Sequence, residues 1–274
     1  MTKIAVLQMT GGIDPASNAE TLATGIAEAG SEGALILFTP ELSGFVDQDN
    51  ERAAKAVVAE LDDPVLMRVR EAAATAGIWV HLGSLIVCRE DGRWANRGYM
   101  IDGKGRVRAR YDKLHLFDVD LPTGERWRES AIYAPGQTAN LVDTPVGTMG
   151  LSICYDMRFP DLFRTLSDAG AEVLSVPAAF TRPTGAAHWH VLLRARAIEA
   201  GAWVIAAGQT GRHEDGRETY GHSLVIDPWG DIVLDMGEDA GLKFADIDPA
   251  RLAEVRTRVP ALRHRRPIPD VLRG

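Results

Sequence analysis

Cysteine is scarce, with Cys88 and Cys154 the only two among 274 residues. Two thiols make neither a disulfide framework nor a spaced set of zinc thiolates, so a reducing compartment is expected. Positive charge is short as well. Lys and Arg number 30 against 38 Asp and Glu, for a net charge of −8, and that balance argues against a nucleic-acid partner, which requires a basic face. The one basic cluster, Arg263-His264-Arg265-Arg266, reads as a solvated or internally paired terminus. Long apolar runs are missing too, so no membrane span is expected. The residues from Lys3 to Met9 already read as a strand, with no signal peptide before them. These absences point to a cytoplasmic protein with neither a membrane nor a nucleic acid as partner.

What is present suits a globular chain: 46% hydrophobic and 25% charged residues, enough to bury a sizeable core in one large α/β domain or two small ones. After the first strand, Gly11-Gly12-Ile13-Asp14-Pro15 reads as a loop, and residues 16–29 as an alanine-rich amphipathic helix closed by Gly30. A buried strand over residues 34–38 runs into Thr39-Pro40-Glu41. Helices follow over residues 50–61 and 64–76, then a strand over residues 78–84 that continues through Val87. Asp102-Gly103-Lys104-Gly105 turns a hairpin between strands at residues 97–101 and 107–111.

The second half repeats this order. Residues 171–177 match residues 34–40 as a strand ending in proline. A helix over residues 188–199 follows, residues 200–208 echo residues 76–83, and residues 223–233 echo the hairpin at Gly103. Two such halves close by packing sheet on sheet with helices outside, which predicts a four-layer αββα sandwich in one domain spanning residues 1–274. The stretch from His115 to Gly136, the only long one with no clear pattern, reads as a functional loop.

At Leu151-Ser152-Ile153-Cys154-Tyr155-Asp156-Met157-Arg158-Phe159-Pro160 an apolar run stops at a cysteine and a proline-started helix follows, running to about Ala169 with Gly170 as its stop. A thiol at a strand's carboxyl end, near the N–H groups of a coming helix, sits where α/β sheets keep their sites and where thiol pKa values fall. A buried structural cysteine is the competing reading. A nucleophile needs a base and donors for an oxyanion. None of the seven histidines stands in a papain-like context, and His188 and His190 point about 200° apart on a helix, a poor metal pair. Carboxylate and amine partners suit better: Glu41 follows a strand end and Lys113 follows the hairpin.

Pro40-Glu41, Tyr111-Asp112-Lys113-Leu114-His115-Leu116-Phe117 and Cys154-Tyr155-Asp156-Met157-Arg158-Phe159-Pro160 resemble, in order, the three catalytic signatures of the nitrilase superfamily, the carbon–nitrogen hydrolases. The resemblance implies the αββα fold and a Glu-Lys-Cys triad. Glu41 is then the general base, and Lys113 with the Tyr155 backbone N–H holds the oxyanion. Glu129, in Arg128-Glu129-Ser130, matches the family's second glutamate, which positions the lysine. The implied substrate is a small-molecule amide, with no metal and no organic cofactor, and the implied assembly is a homodimer.

Motifs between Pro177 and Trp229, with His264-Arg265-Arg266-Pro267, resemble the deaminated-glutathione amidase branch. The implied reaction is a thioester route from deaminated glutathione to 2-oxoglutarate and cysteinylglycine. An omega-amidase of 2-oxoglutaramate or succinamate, a nitrilase of another carbon–nitrogen substrate and a non-catalytic binding member are the alternatives. Arg158 is placed to grip the keto-acid carboxylate, unless it pairs with Asp156 or Asp161 on the surface. By resemblance Phe180 and Thr184 line the pocket. In one departure, His190 stands where many relatives carry glutamate, which puts lysine positioning and substrate preference in question.

Overall fold

In β1 (Thr2–Gln8) and β2 (Ile36–Phe38), successive apolar residues go to different cores. Ile4, Val6, Ile36 and Phe38 join a cluster with Met149, Leu151 and Val173, whereas Ala5, Leu7 and Leu37 join one with Leu22, Ile26, Val65 and Val69. Side chains alternate faces along a strand, so a strand feeding two cores lies in a sheet covered on both sides. That is the layer order of the αββα sandwich in the computed structural model, which describes residues 1–121, 124 and 126–273.

The first sheet continues with β3 (Trp79–Cys88), β4 (Trp94–Ile101) and β5 (Val107–Asp112). A small hairpin, β6 (Asp118–Asp120) and β7 (Arg126–Arg128), precedes β8 (Leu141–Thr144), β9 (Gly147–Leu151), β10 (Val173–Ser175) and β11 (Trp203–Ala206). A second hairpin, β12 (Thr210–Arg212) and β13 (Glu218–Tyr220), precedes β14 (Leu224–Ile226), β15 (Ile232–Asp235) and β16 (Gly241–Ile247). The sheet orders are β16-β1-β2-β3-β4-β5 and β15-β14-β11-β10-β9-β8. β1 to β3 are parallel, as are β9 to β11, and each set is followed by two antiparallel strands. The repeat legible in the sequence is therefore a repeat of topology.

Helices α1 (Pro15–Ser31) and α3 (Pro64–Ala76) cover the first sheet; between them in the chain lies the short α2 (Asn50–Ala56). α4 (Pro160–Asp168) and α5 (Arg182–Ala200) cover the second, and α6 (Pro249–Arg258) and α7 (Ala261–His264) follow β16. Several boundaries differ from those expected. α1 passes through Gly30, because a Cβ there would meet Ala76 at 3.1 Å and the glycine lets α1 and α3 approach. α2 stops at Ala56 because the next residues pair with β3, Cys88 N–H donating to Val58 O. α5 starts at Arg182, with Gly185 in its first turn beneath the Tyr220 ring. The stretch 115–136 is not simply loop: it holds β6, β7 and a 3-10 turn at Glu129–Ala131, while residues 122, 123 and 125 lie outside the described ones. α4 and its Gly170 stop fall where expected.

Candidate active site

Glu41 lies three residues beyond β2, Lys113 directly follows β5, and Cys154 lies three residues beyond β9. The equivalent loops of the two halves meet there. Cys154 N–H donates to Pro177 O at 2.9 Å, and Ala179 N–H, beyond β10, donates to Glu41 Oε2 at 2.8 Å. Cys154 opens a 3-10 turn (Cys154–Arg158), and Tyr155 N–H comes just before the first bonded N–H of that turn, which Asp156 donates to Ile153 O. Both Leu42 and Cys154 have left-handed backbones, with φ of 56° and 48°. Side chains seldom tolerate that region, so the surrounding structure holds these two residues in place.

Lys113 is 1% exposed and sits between two carboxylates. Its Nζ donates to Glu41 Oε1 at 2.9 Å and to Glu129 Oε1 at 3.0 Å. Asn96 Nδ2 donates to the same Glu41 oxygen at 2.8 Å, and Phe117 N–H donates to Glu129 Oε2 at 2.8 Å. Burial works against the charge on Glu41, but the Lys113 ammonium outweighs it, and the carboxyl falls below its ordinary range. Burial also opposes the charge on Lys113, and the two carboxylates overcome it, so the amine is held well above its usual value. Glu129 goes the other way, raised by burial with Glu41 adding to it.

Burial and the facing Glu41 carboxylate push the Cys154 thiol well above its ordinary value. This reverses the expectation of a lowered thiol. α4 begins six residues away, too far for its N-terminus to offset a neighbouring negative charge. The resting arrangement is a neutral thiol beside an ionised carboxylate and an ammonium. Such a set can move a proton from sulfur to Glu41 at the moment of attack and has an ammonium to meet a developing oxyanion.

Sequence reasoning missed Asp156, which is fully buried. Its Oδ2 accepts from Ile153 N–H and Tyr111 Oη, both at 2.8 Å, and its Oδ1 accepts from His115 N–H at 3.0 Å. Tyr111 and His115 flank Lys113, so one carboxylate clasps the lysine segment to the cysteine turn. Isoleucine at position 153 has no side-chain acceptor, so the interval to Asp156 lacks the capping-box signature that would have marked it. Asn96 and Gln209, whose Nε2 donates to Glu41 O at 3.0 Å, carried no such signal.

The cluster opens on a cavity of about 320 Å³ whose wall includes Phe45, Trp127, Tyr133, Phe180, Thr184 and Arg217. Phe180 and Thr184 stand where expected. Arg158 does not line the wall: its guanidinium lies 5.5 Å from the Phe180 ring centre and 5.8 Å from that of Tyr155, with His188 Nδ1 at 3.3 Å. Among the described residues it pairs with no carboxylate, so neither Asp156 nor Asp161 claims it. His190 is also outside the wall, and the lysine's carboxylates are Glu41 and Glu129, so the departure at His190 leaves Lys113 untouched. Among the described residues no histidine lines the cavity.

A double-sheet sandwich with a buried carboxylate, ammonium and thiol at its strand ends defines a class, the cysteine-centred amide hydrolases. The chain belongs to the carbon–nitrogen hydrolase family, whose model matches residues 3–257. A deaminated glutathione amidase of Rattus norvegicus is 42% identical over 269 residues, 96% of this chain and 82% of that protein. The solved Caenorhabditis elegans NitFhit protein matches at a TM-score of 0.90 and 40% identity, over 97% of this chain and 65% of that one. Saccharomyces cerevisiae Nit3, a member of branch 10 of the nitrilase superfamily, matches at 0.85 and 28% identity over 94% of both.

Proposed function

We propose that the whole chain is one catalytic unit that hydrolyses deaminated glutathione to 2-oxoglutarate and cysteinylglycine. The observation that carries this reading is the Lys113 ammonium held between Glu41 and Glu129, with the Cys154 thiol in the same buried cluster at the cavity floor. Cys154 Sγ attacks the substrate amide carbon as its proton passes to Glu41. Lys113 Nζ and Tyr155 N–H stabilise the oxyanion, and Glu129 positions the lysine. Glu41 then gives the proton to the departing amine. Water, deprotonated by Glu41, cleaves the thioester and releases the acid and the free thiol.

The substrate is a short acyl chain with a carboxylate at each end of the molecule, and a cavity of about 320 Å³ lies at the small end of ligand sites. Arg158, held against two wall rings and paired with no carboxylate among the described residues, turns into the cavity to read the keto-acid end. Arg217, in the wall and 4.7 Å over the Trp127 ring, reads the glycyl end. Cys154→Ala is expected to abolish hydrolysis with the fold intact; full activity in that variant sinks the mechanism. Comparing kcat/KM for deaminated glutathione and 2-oxoglutaramate decides the substrate, and a clear preference for the latter makes the protein an omega-amidase. Arg217→Gln should raise KM for deaminated glutathione only, since 2-oxoglutaramate has no carboxylate on its leaving group.

A homodimer in the cytoplasm completes the proposal. α5 leaves Val191 and Ile198 68% and 53% exposed, an apolar face suited to a second copy, and among the described residues no helix is long and apolar enough to cross a membrane. Sedimentation velocity checks the dimer, and fractionation checks the location.

A further inference from the structure

The triad and its cavity leave one group of titratable side chains unused. His190 lies on α5, His222 just before β14, and Asp235 ends β15. His190 Nε2 is 3.0 Å from Asp235 Oδ2, His222 Nδ1 is 2.9 Å from Asp235 Oδ1, and the donor atoms of all three lie within 4.8 Å of one another. None of the three lines the cavity. Their side chains are 29%, 22% and 33% exposed, so an ion reaches them without any opening of the fold. His188, two residues earlier, turns to Arg158 instead, and the second imidazole, His222, comes from the segment just before β14.

We propose that His190, His222 and Asp235 form a binding site for a divalent transition-metal ion of the zinc type, with water completing its shell. Two imidazole nitrogens and a carboxylate oxygen are a donor set that zinc takes readily in open sites. Metal–ligand bonds of about 2.0–2.1 Å put neighbouring donors of a tetrahedron roughly 3.3 Å apart. The two imidazole nitrogens stand 3.0 and 2.9 Å from different oxygens of Asp235, so the carboxylate binds the ion through both or turns to present one, and rotation of the rings brings the nitrogens together. A surrounding shell orients the ligands, as metal sites need. Gly237 N–H donates to Asp235 Oδ1 at 2.9 Å, Trp189 Nε1 donates to His222 O at 2.7 Å, and the Tyr220 ring stacks on His222 with centres 4.5 Å apart. Bound there, the ion ties α5, which carries Thr184 of the cavity wall, to the outer strands of the second sheet.

The test is calorimetric titration of chelator-treated full-length protein with zinc chloride. One ion per chain is expected. His190→Ala, at a half-buried helical position that alanine suits, and Asp235→Asn should each weaken binding at least tenfold. Cys154→Ala should bind as tightly as the parent, which separates this site from the catalytic thiol. Zinc should raise the Tm of the parent but not of His190→Ala, whose amidase rate without metal stays at the parent level. Cobalt bound in the parent should show visible d–d bands and no thiolate charge-transfer band. Failure of the parent to bind, binding that survives both ligand substitutions, or binding lost in Cys154→Ala each overturns the proposal.

Discussion

Glu41 has opposite effects on the amount of thiolate and on the rate. Its negative charge is a main reason the thiol is held high, so Glu41→Gln should lower the Cys154 pKa and yield more thiolate at neutral pH. Turnover should nevertheless fall by about 10²- to 10⁴-fold, the usual contribution of a positioned base. A pH titration of thiolate absorbance, set beside kcat, checks both halves. The acid limb of kcat/KM follows from the other carboxylate. Glu129 has a raised pKa and must be ionised to hold Lys113, so activity is present above that value and lost as pH falls through it. Glu41, with a lowered pKa, protonates only at lower pH. In Glu129→Gln the residual activity should therefore lose its upper step, and its acid limb should move to lower pH. The triad was legible because each member lies at a strand end in its own short motif. Asp156 and Asn96 were not, since their contacts depend on which strands become neighbours, and neither was the turn of Arg158 toward the Tyr155 and Phe180 rings, because spacing does not say which way a long side chain points.

At the scale of elements, the position of Glu41 is set by a glycine on another strand. A Cβ at Gly83 on β3 would lie 2.3 Å from the carbonyl oxygens of Thr39 and Pro40, the two residues before Glu41. Gly83→Ala should push that segment aside, costing about 1–3 kcal/mol as overpacking does. It should also lower kcat more than it raises KM. Urea unfolding and steady-state kinetics measure the two effects. Other glycines explain the misread boundaries. Gly30 looked like a stop because glycine costs a helix about 1 kcal/mol against alanine, and α5 was expected only from His188, beyond Gly185. Here close contacts with Ala76 and Tyr220 outweigh that cost, and such contacts exist only once the helix has neighbours.

At the scale of the molecule, the sequence showed the repeat but not which strands close each sheet. β16 pairs with β1 through seven residue pairs, and β8 pairs with β9 through four. Removing residues 241–274 should strip β1 of that partner and expose its edge, giving aggregation that light scattering detects. The same pairing says more about how the chain is built. β8 is the last strand before the second repeat begins, and β16 is the last strand after it ends. Each six-stranded sheet therefore takes five strands from one repeat and its outermost antiparallel strand from the end of the other. The two closing strands are thus exchanged between the repeats within one chain. Neither repeat completes its own sheet, and the buried cluster is shared out accordingly, with Glu41 and Lys113 on the first repeat and Cys154 on the second. Two fragments divided just before β8 would leave both closing strands, β8 and β16, on the second fragment, whereas a division just after β8 gives each fragment the strand that the other needs.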